Sequence, residues 1–129
     1  MMIDISQYRN LYLKTAHNLV TEMQKYIGLL STNENDKNAV YEIYRAAHSL
    51  KSQSLMMGYS QTGLTNRLIE GLFRKIHEGK QTLSSAILFL TKEVVDHIKN
   101  SIDQIQNNNQ ESDLQEDIKK LHQYISLEK

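Results

Sequence analysis

Residues 40–58 read VYEIYRAAHSLKSQSLMMG, and the spacing of the apolar residues in this stretch predicts a helix. Apolar or small residues recur at steps of three and four, which places them on one helix face. The stripe ends at Gly58, a residue that suits the left-handed conformation found after many helices. His48 lies about 100° round the helix from Ala47, at the edge of the stripe, and its side chain is expected to be accessible. The stripe consists of Val40, Ile43, Ala47, Leu50, Ser54 and Met57.

Three more stripes with the same spacing lie before and after this stretch, over residues 5–30, 64–76 and 83–105. Each stripe covers one helix face, so the four helices must share a core. The sequence therefore predicts one all-α domain over residues 1–129, an antiparallel up-down four-helix bundle over about 3–106. The Asn/Gln-rich run at 107–111 is expected to be a linker, and an additional short C-terminal helix is expected over about 112–127.

Residues that begin and end helices lie between the stripes. Ser60 or Thr62 is expected to open the third helix, and Gly79 to close it. Thr82 is expected to cap the fourth helix.

The composition excludes several classes of function. Fifteen Lys and Arg residues balance fifteen Asp and Glu residues, which argues against binding to nucleic acid. The absence of cysteine excludes disulfides, thiolate zinc sites and cysteine nucleophiles. The N-terminus lacks the pattern of a signal peptide, and no apolar run is long enough to cross a bilayer. We therefore expect a cytoplasmic protein that does not bind membranes and is a monomer.

His48 is the most informative polar residue. Its neighbours one turn away include Arg45, Lys51 and Ser52, so an accessible imidazole shares a ridge with two cations. The two nearby cations disfavour a positively charged imidazole but stabilise a negatively charged group attached to it. Taken alone, the pattern is more often a solvated helix face.

The run HSLKSQS at 48–54, with Gly58 ten residues after the histidine, resembles the signature of histidine-containing phosphotransfer (HPt) domains. That signature is His-x-Leu-Lys-Gly, here with Leu50 as its leucine, followed by small residues and a glycine at this distance. The resemblance is strongest to the N-terminal phosphoacceptor domain of chemotaxis kinases of the CheA type, which also has a fifth helix. Family members carry a glutamate on the next helix, and Glu70 occupies the matching position here.

The resemblance implies that His48 is the phosphoacceptor, that Glu70 orients its ring and that Lys51 balances the charge of the phosphate. Arg45 and Arg67 are secondary candidates for that charge. It implies as partners a histidine kinase catalytic domain and a response-regulator receiver domain, which would supply magnesium and ATP, with no cofactor or metal bound by this chain itself. The domain would not be an enzyme on its own, and it could be free-standing or the N-terminal piece of a larger kinase.

Two positions depart from the family pattern. Ser52 stands where the family has glycine, and Arg67 stands where CheA-type domains often have a second histidine. Ser52 and Gln53 support an alternative, a non-catalytic four-helix interaction module without phosphotransfer. A metal-carrying bundle is disfavoured because the Glu-x-x-His element of di-iron bundles is absent. Glu93 and His97, four residues apart, are expected to be a solvent-facing pair.

Overall fold

The computed structural model of the chain describes residues 5–125, which form five helices and no strand. Helix α1 packs against α2 and α4, α2 packs against α3, and α3 packs against α4, which closes a four-helix bundle. Helix α5 packs against α3 and α4. The predicted all-α bundle with an additional C-terminal helix is therefore confirmed. The helices are α1 (Ile5–Thr32), α2 (Lys37–Met56), α3 (Ser60–His77), α4 (Ser85–Asn108) and α5 (Gln115–His122).

The core follows the predicted stripes except near their ends, where Ile5 and Tyr8 are exposed and several other members are only partly buried. Val40, Ile43, Ala47, Leu50 and Ser54 of α2 are buried, whereas Met57, at the end of that stripe, is only partly buried. The largest fully buried side chains come from all four bundle helices, among them Met23, Ile43, Phe73 and Ile98. No helix within residues 5–125 combines the length and the apolar character needed to cross a bilayer.

Local chemistry explains where the helices begin and end. The side chain of Asp36 accepts a hydrogen bond from the backbone N–H of Ala39 at 3.0 Å and caps α2. Gly58 and Gly79 adopt positive φ angles of 86° and 77° after α2 and α3, as predicted. The expectation that Thr82 caps α4 is wrong. Ser84 performs this function, because its side chain accepts from the backbone N–H of Ile87 at 3.1 Å.

The connection between α4 and α5 is hydrogen-bonded to the start of α3. Glu111 accepts hydrogen bonds from the backbone N–H groups of Gln61 and Thr62 at 3.2 and 2.8 Å, and from the Thr62 hydroxyl at 2.7 Å. The first N–H groups of a helix have no partner within the helix, and no side chain at the start of α3 caps it. Glu111 therefore caps α3 from a distant part of the chain.

Helices α4 and α5 differ from the expected boundaries. Helix α4 extends to Asn108, into the run expected to be a linker, and the chain turns at Asn109 with a φ of 57°. Helix α5 is shorter than the expected segment 112–127, and the last part of that segment lies outside the described residues. Leu114 and Leu121 are buried and hold α5 against the bundle.

Candidate functional site

The candidate site lies where α2 and α3 pack against each other. His48 Nδ1 is 2.6 Å from Glu70 Oε2, a contact between residues 22 positions apart. The His48 side chain is 54% exposed, whereas that of Glu70 is 9% exposed. The hydrogen bond predicted between the two side chains is present, with the imidazole at the surface and the carboxylate beneath it.

A glycine on α3 allows the two helices to approach. A Cβ atom at Gly63 would collide with the side chain of Leu55 on α2. Glycine inside a helix costs about 1 kcal/mol relative to alanine, so close packing is a physical reason for its presence. Sequence reasoning missed Gly63, although a glycine within a helical stripe was a signal that could have found it.

Lys51 contacts Glu70 as well. Its Nζ atom lies 2.9 Å from Glu70 Oε1, and its side chain is only 22% exposed. Lys51 is therefore turned toward the interior of the site, because its ammonium group is held by the same carboxylate as His48. Burial alone would raise the pKa of Glu70, but hydrogen bonds from Lys51 and His48 outweigh it and lower that pKa below its usual value.

The ionised carboxylate fixes the chemistry of the ring. A carboxylate without a proton can only accept hydrogen bonds, so Nδ1 of His48 must be the donor. In the neutral ring the lone pair is then on Nε2. No hydrogen bond occupies Nε2 in the part of the chain that the structure describes. The arrangement presents a nucleophilic nitrogen at the protein surface.

The secondary candidates differ in whether other groups of the protein already hold their side chains. Arg45 bonds Glu22 and Glu42, both at 3.0 Å, so its charge is already neutralised beside α1. Arg67 is exposed and makes no ion pair with any residue in 5–125. Ser52 is exposed one turn from His48, and its hydroxyl donates to the backbone carbonyl of His48 at 3.2 Å.

Comparison with known families matches residues 7–108 to the Hpt domain. The chain belongs to the Hpt domain family. The remaining residues, which include α5, lie outside the matched region.

Curated relatives support this assignment, and a solved structure has the same fold. This Hpt domain is 27% identical over 103 residues to the chemotaxis protein CheA of Bacillus subtilis, covering 80% of this chain and 15% of that protein. It is 27% identical over 107 residues to CheA of Salmonella typhimurium, covering 83% of this chain and 16% of that protein. The fold matches the phosphorylated P1 domain of CheA3, solved in complex with CheY6 from R. sphaeroides. That match has a TM-score of 0.85 at 16% identity, over 93% of this chain and 96% of that chain.

Outside the His48 site, this Hpt domain has a second pair of histidine and carboxylate. Nδ1 of His97 on α4 lies 2.8 Å from Oδ1 of the buried Asp117 on α5, and Glu93 lies 3.6 Å from Lys120. The expectation that Glu93 and His97 face solvent as a pair is therefore wrong in that both side chains contact residues of α5. Within residues 5–125, no group of three or more potential ligands could hold a metal ion.

Proposed function

We propose that His48 accepts a phosphoryl group on Nε2 from ATP bound to a histidine kinase catalytic domain and passes it to an aspartate of a receiver domain. The observation that carries this proposal is the hydrogen bond from Nδ1 of a half-exposed His48 to the buried carboxylate of Glu70. Membership of the Hpt family and the CheA relatives support it. The chain spans only 15–16% of the length of the CheA relatives from B. subtilis and S. typhimurium.

The chemistry of the first transfer needs few groups from this domain. Nε2 of His48 attacks the γ-phosphorus of ATP, an N–P bond forms, and the bond to the departing ADP breaks. The ring becomes cationic while its Nδ1 proton stays in place, and the carboxylate of Glu70 beside that proton stabilises the positive charge. Phosphoryl transfer depends mainly on positioning and charge stabilisation, and the kinase would supply magnesium with its ATP.

The second transfer reverses the change at the ring. A carboxylate oxygen of the receiver aspartate attacks phosphorus, the N–P bond breaks, and His48 returns to its neutral form. Throughout both steps Lys51 keeps Glu70 ionised, so its contribution to the phosphate acts through the carboxylate. The domain would thus be a substrate and relay that does not turn over alone.

The test is incubation of the protein with ATP, magnesium and the catalytic domain of a CheA-type kinase, beside the His48→Gln variant. We expect one acid-labile phosphoryl group by intact mass in the natural protein and none in the variant. Adding a receiver domain should remove that group from the protein. A folded protein that stays unmodified by a competent kinase would instead favour the non-catalytic interaction module.

A further inference from the structure

A groove of about 470 Å³ lies beside Glu70, between α3 and the end of α5, and His48 is not among the residues that line it. We name it the basic groove. Lys51 and Glu70 form the wall that it shares with the phosphoacceptor site. Its cationic rim and apolar floor are formed by Lys51, Arg67, Arg74, Leu64, Leu68 and Ile125.

The charge of the basic groove is positive although the chain as a whole is neutral. Arg67 and Arg74 are exposed on α3, two turns apart, and neither forms an ion pair within the described part of the chain. Among residues 5–125, Glu70 is the only acidic side chain that lines the groove, and it is already bonded to Lys51 and His48. Within the described residues the two guanidinium groups therefore have no carboxylate partner, and guanidinium binds carboxylates through paired hydrogen bonds.

The floor of the groove indicates which kind of anion fits. Leu64 and Ile125 are partly buried and Leu68 is 8% exposed, so apolar surface lies between the cations. Gly71, also in the lining, has open space where a side chain would be. A small inorganic anion gains nothing from such a floor, whereas a peptide with both carboxylates and apolar side chains can contact rim and floor together.

We infer that the basic groove binds an acidic, leucine-bearing segment of a partner protein. Carboxylates of the segment pair with Arg67 and Arg74, and its apolar side chains cover Leu64, Leu68 and Ile125. Glu70 both lines the groove and contacts His48, so a partner held by this segment is placed near the phosphoacceptor. This binding does not require phosphotransfer, so it is measured on the unphosphorylated protein, and its failure would leave the proposed function intact.

The test measures binding of a fluorescent peptide, Asp-Glu-Leu-Asp-Glu-Leu, to the 129-residue chain by anisotropy and by amide chemical shifts. We expect shifts at Leu64, Leu68 and Ile125, and an affinity that falls as salt increases. The double variant Arg67→Gln/Arg74→Gln should bind about fivefold more weakly. The matched control Lys14→Gln/Lys92→Gln removes two exposed cations elsewhere and should change affinity by less than about twofold.

Three results would overturn the inference. Equal losses of affinity in the two double variants would show that the peptide is attracted by the overall charge of the protein and does not bind at a defined site. Equal binding of the peptide with Asn and Gln in place of its acidic residues would exclude the guanidinium contacts. Equal binding of the peptide with Ser in place of both leucines would show that the apolar floor has no part, and hence that the groove does not select an apolar segment.

Discussion

At the scale of single residues, the candidate site depends on one carboxylate that serves two donors. Glu70 holds Nδ1 of His48 with one oxygen and the ammonium group of Lys51 with the other. The two contacts support each other, because Lys51 keeps Glu70 ionised and an ionised Glu70 fixes the proton on Nδ1. Removing the charge of Glu70 should therefore disturb His48 more than the loss of a single hydrogen bond would.

The variant Glu70→Gln tests this coupling. The amide is close in size but carries no charge, so it neither stabilises a cationic ring nor holds Lys51 as strongly. We expect phosphorylation of His48 to slow by about 10- to 100-fold, and the final extent of modification to persist because Nε2 remains. A time course with radiolabelled ATP measures the rate.

Two controls make the Glu70 result interpretable. His48→Gln sets the background of the assay, and Glu116→Gln removes an exposed carboxylate of α5 that has no partner within residues 5–125. An unchanged rate in Glu70→Gln, with the fold intact, would contradict the role of Glu70 in orienting the ring.

At the scale of helices, the position of Glu70 depends on how α3 is held against its neighbours. Gly63 sets the approach of α3 to α2, and Glu111 caps the start of α3. Both lie seven or more residues from Glu70 in sequence, and neither touches His48. Substitution of either residue should therefore change the stability of the fold more than the phosphorylation of His48.

Gly63→Ala tests the close approach of α2 and α3. Alanine is normally the better residue inside a helix, by up to about 1 kcal/mol. At position 63 its methyl group would overlap the half-exposed side chain of Leu55, which must shift to make room, so we expect destabilisation by about 1 kcal/mol. The matched control is Gly28→Ala in α1, where a Cβ meets nothing within 4 Å and stability should rise. Urea unfolding compares the two, and stabilisation by both substitutions would contradict the account.

Glu111→Gln tests the cap of α3. The substitution weakens acceptance from two backbone N–H groups and the Thr62 hydroxyl while keeping the size of the side chain. We expect a loss of about 1–2 kcal/mol in the free energy of unfolding, with faster amide exchange at Gln61 and Thr62. Hydrogen exchange followed by NMR reports both residues, and unchanged protection there would show that the cap is dispensable.

At the scale of the whole molecule, the sequence predicted what repeats along the chain and missed what joins distant parts of it. Helical stripes and the glycine stops followed from local spacing, whereas the pairing of His48 with Glu70 followed from the family resemblance. The cap from Glu111 to Thr62 spans 49 residues, and no periodic pattern marks such a contact. The contact of Lys51 with Glu70 was missed for a related reason, because spacing shows which face a lysine occupies but not which carboxylate it reaches.

Tyr12 lies where α1, α2 and the connection to α5 meet, so its ionisation reports on the packing of the whole bundle. Its hydroxyl is buried against the Ser54 hydroxyl at 2.8 Å. Burial, with smaller contributions from Tyr59 and Glu111, raises the pKa of Tyr12 from 10.0 to about 12, although the hydrogen bond to Ser54 opposes the shift. The folded protein therefore holds the phenol proton more tightly than the unfolded chain does.

The sign of this shift predicts how alkali destabilises the bundle. Below pH 10 both states are protonated and the full stabilisation is present; between about pH 10 and 12 only the unfolded chain loses the proton, so stability falls as pH rises. In Tyr12→Phe this contribution is absent, and we expect its stability to decline less steeply than that of the natural protein over this range. The variant should be about 1 kcal/mol less stable at pH 7, where it lacks the hydrogen bond to Ser54. Urea unfolding at a series of pH values measures both effects, and parallel curves above pH 10 would show that Tyr12 ionises as freely in the folded bundle as in the unfolded chain.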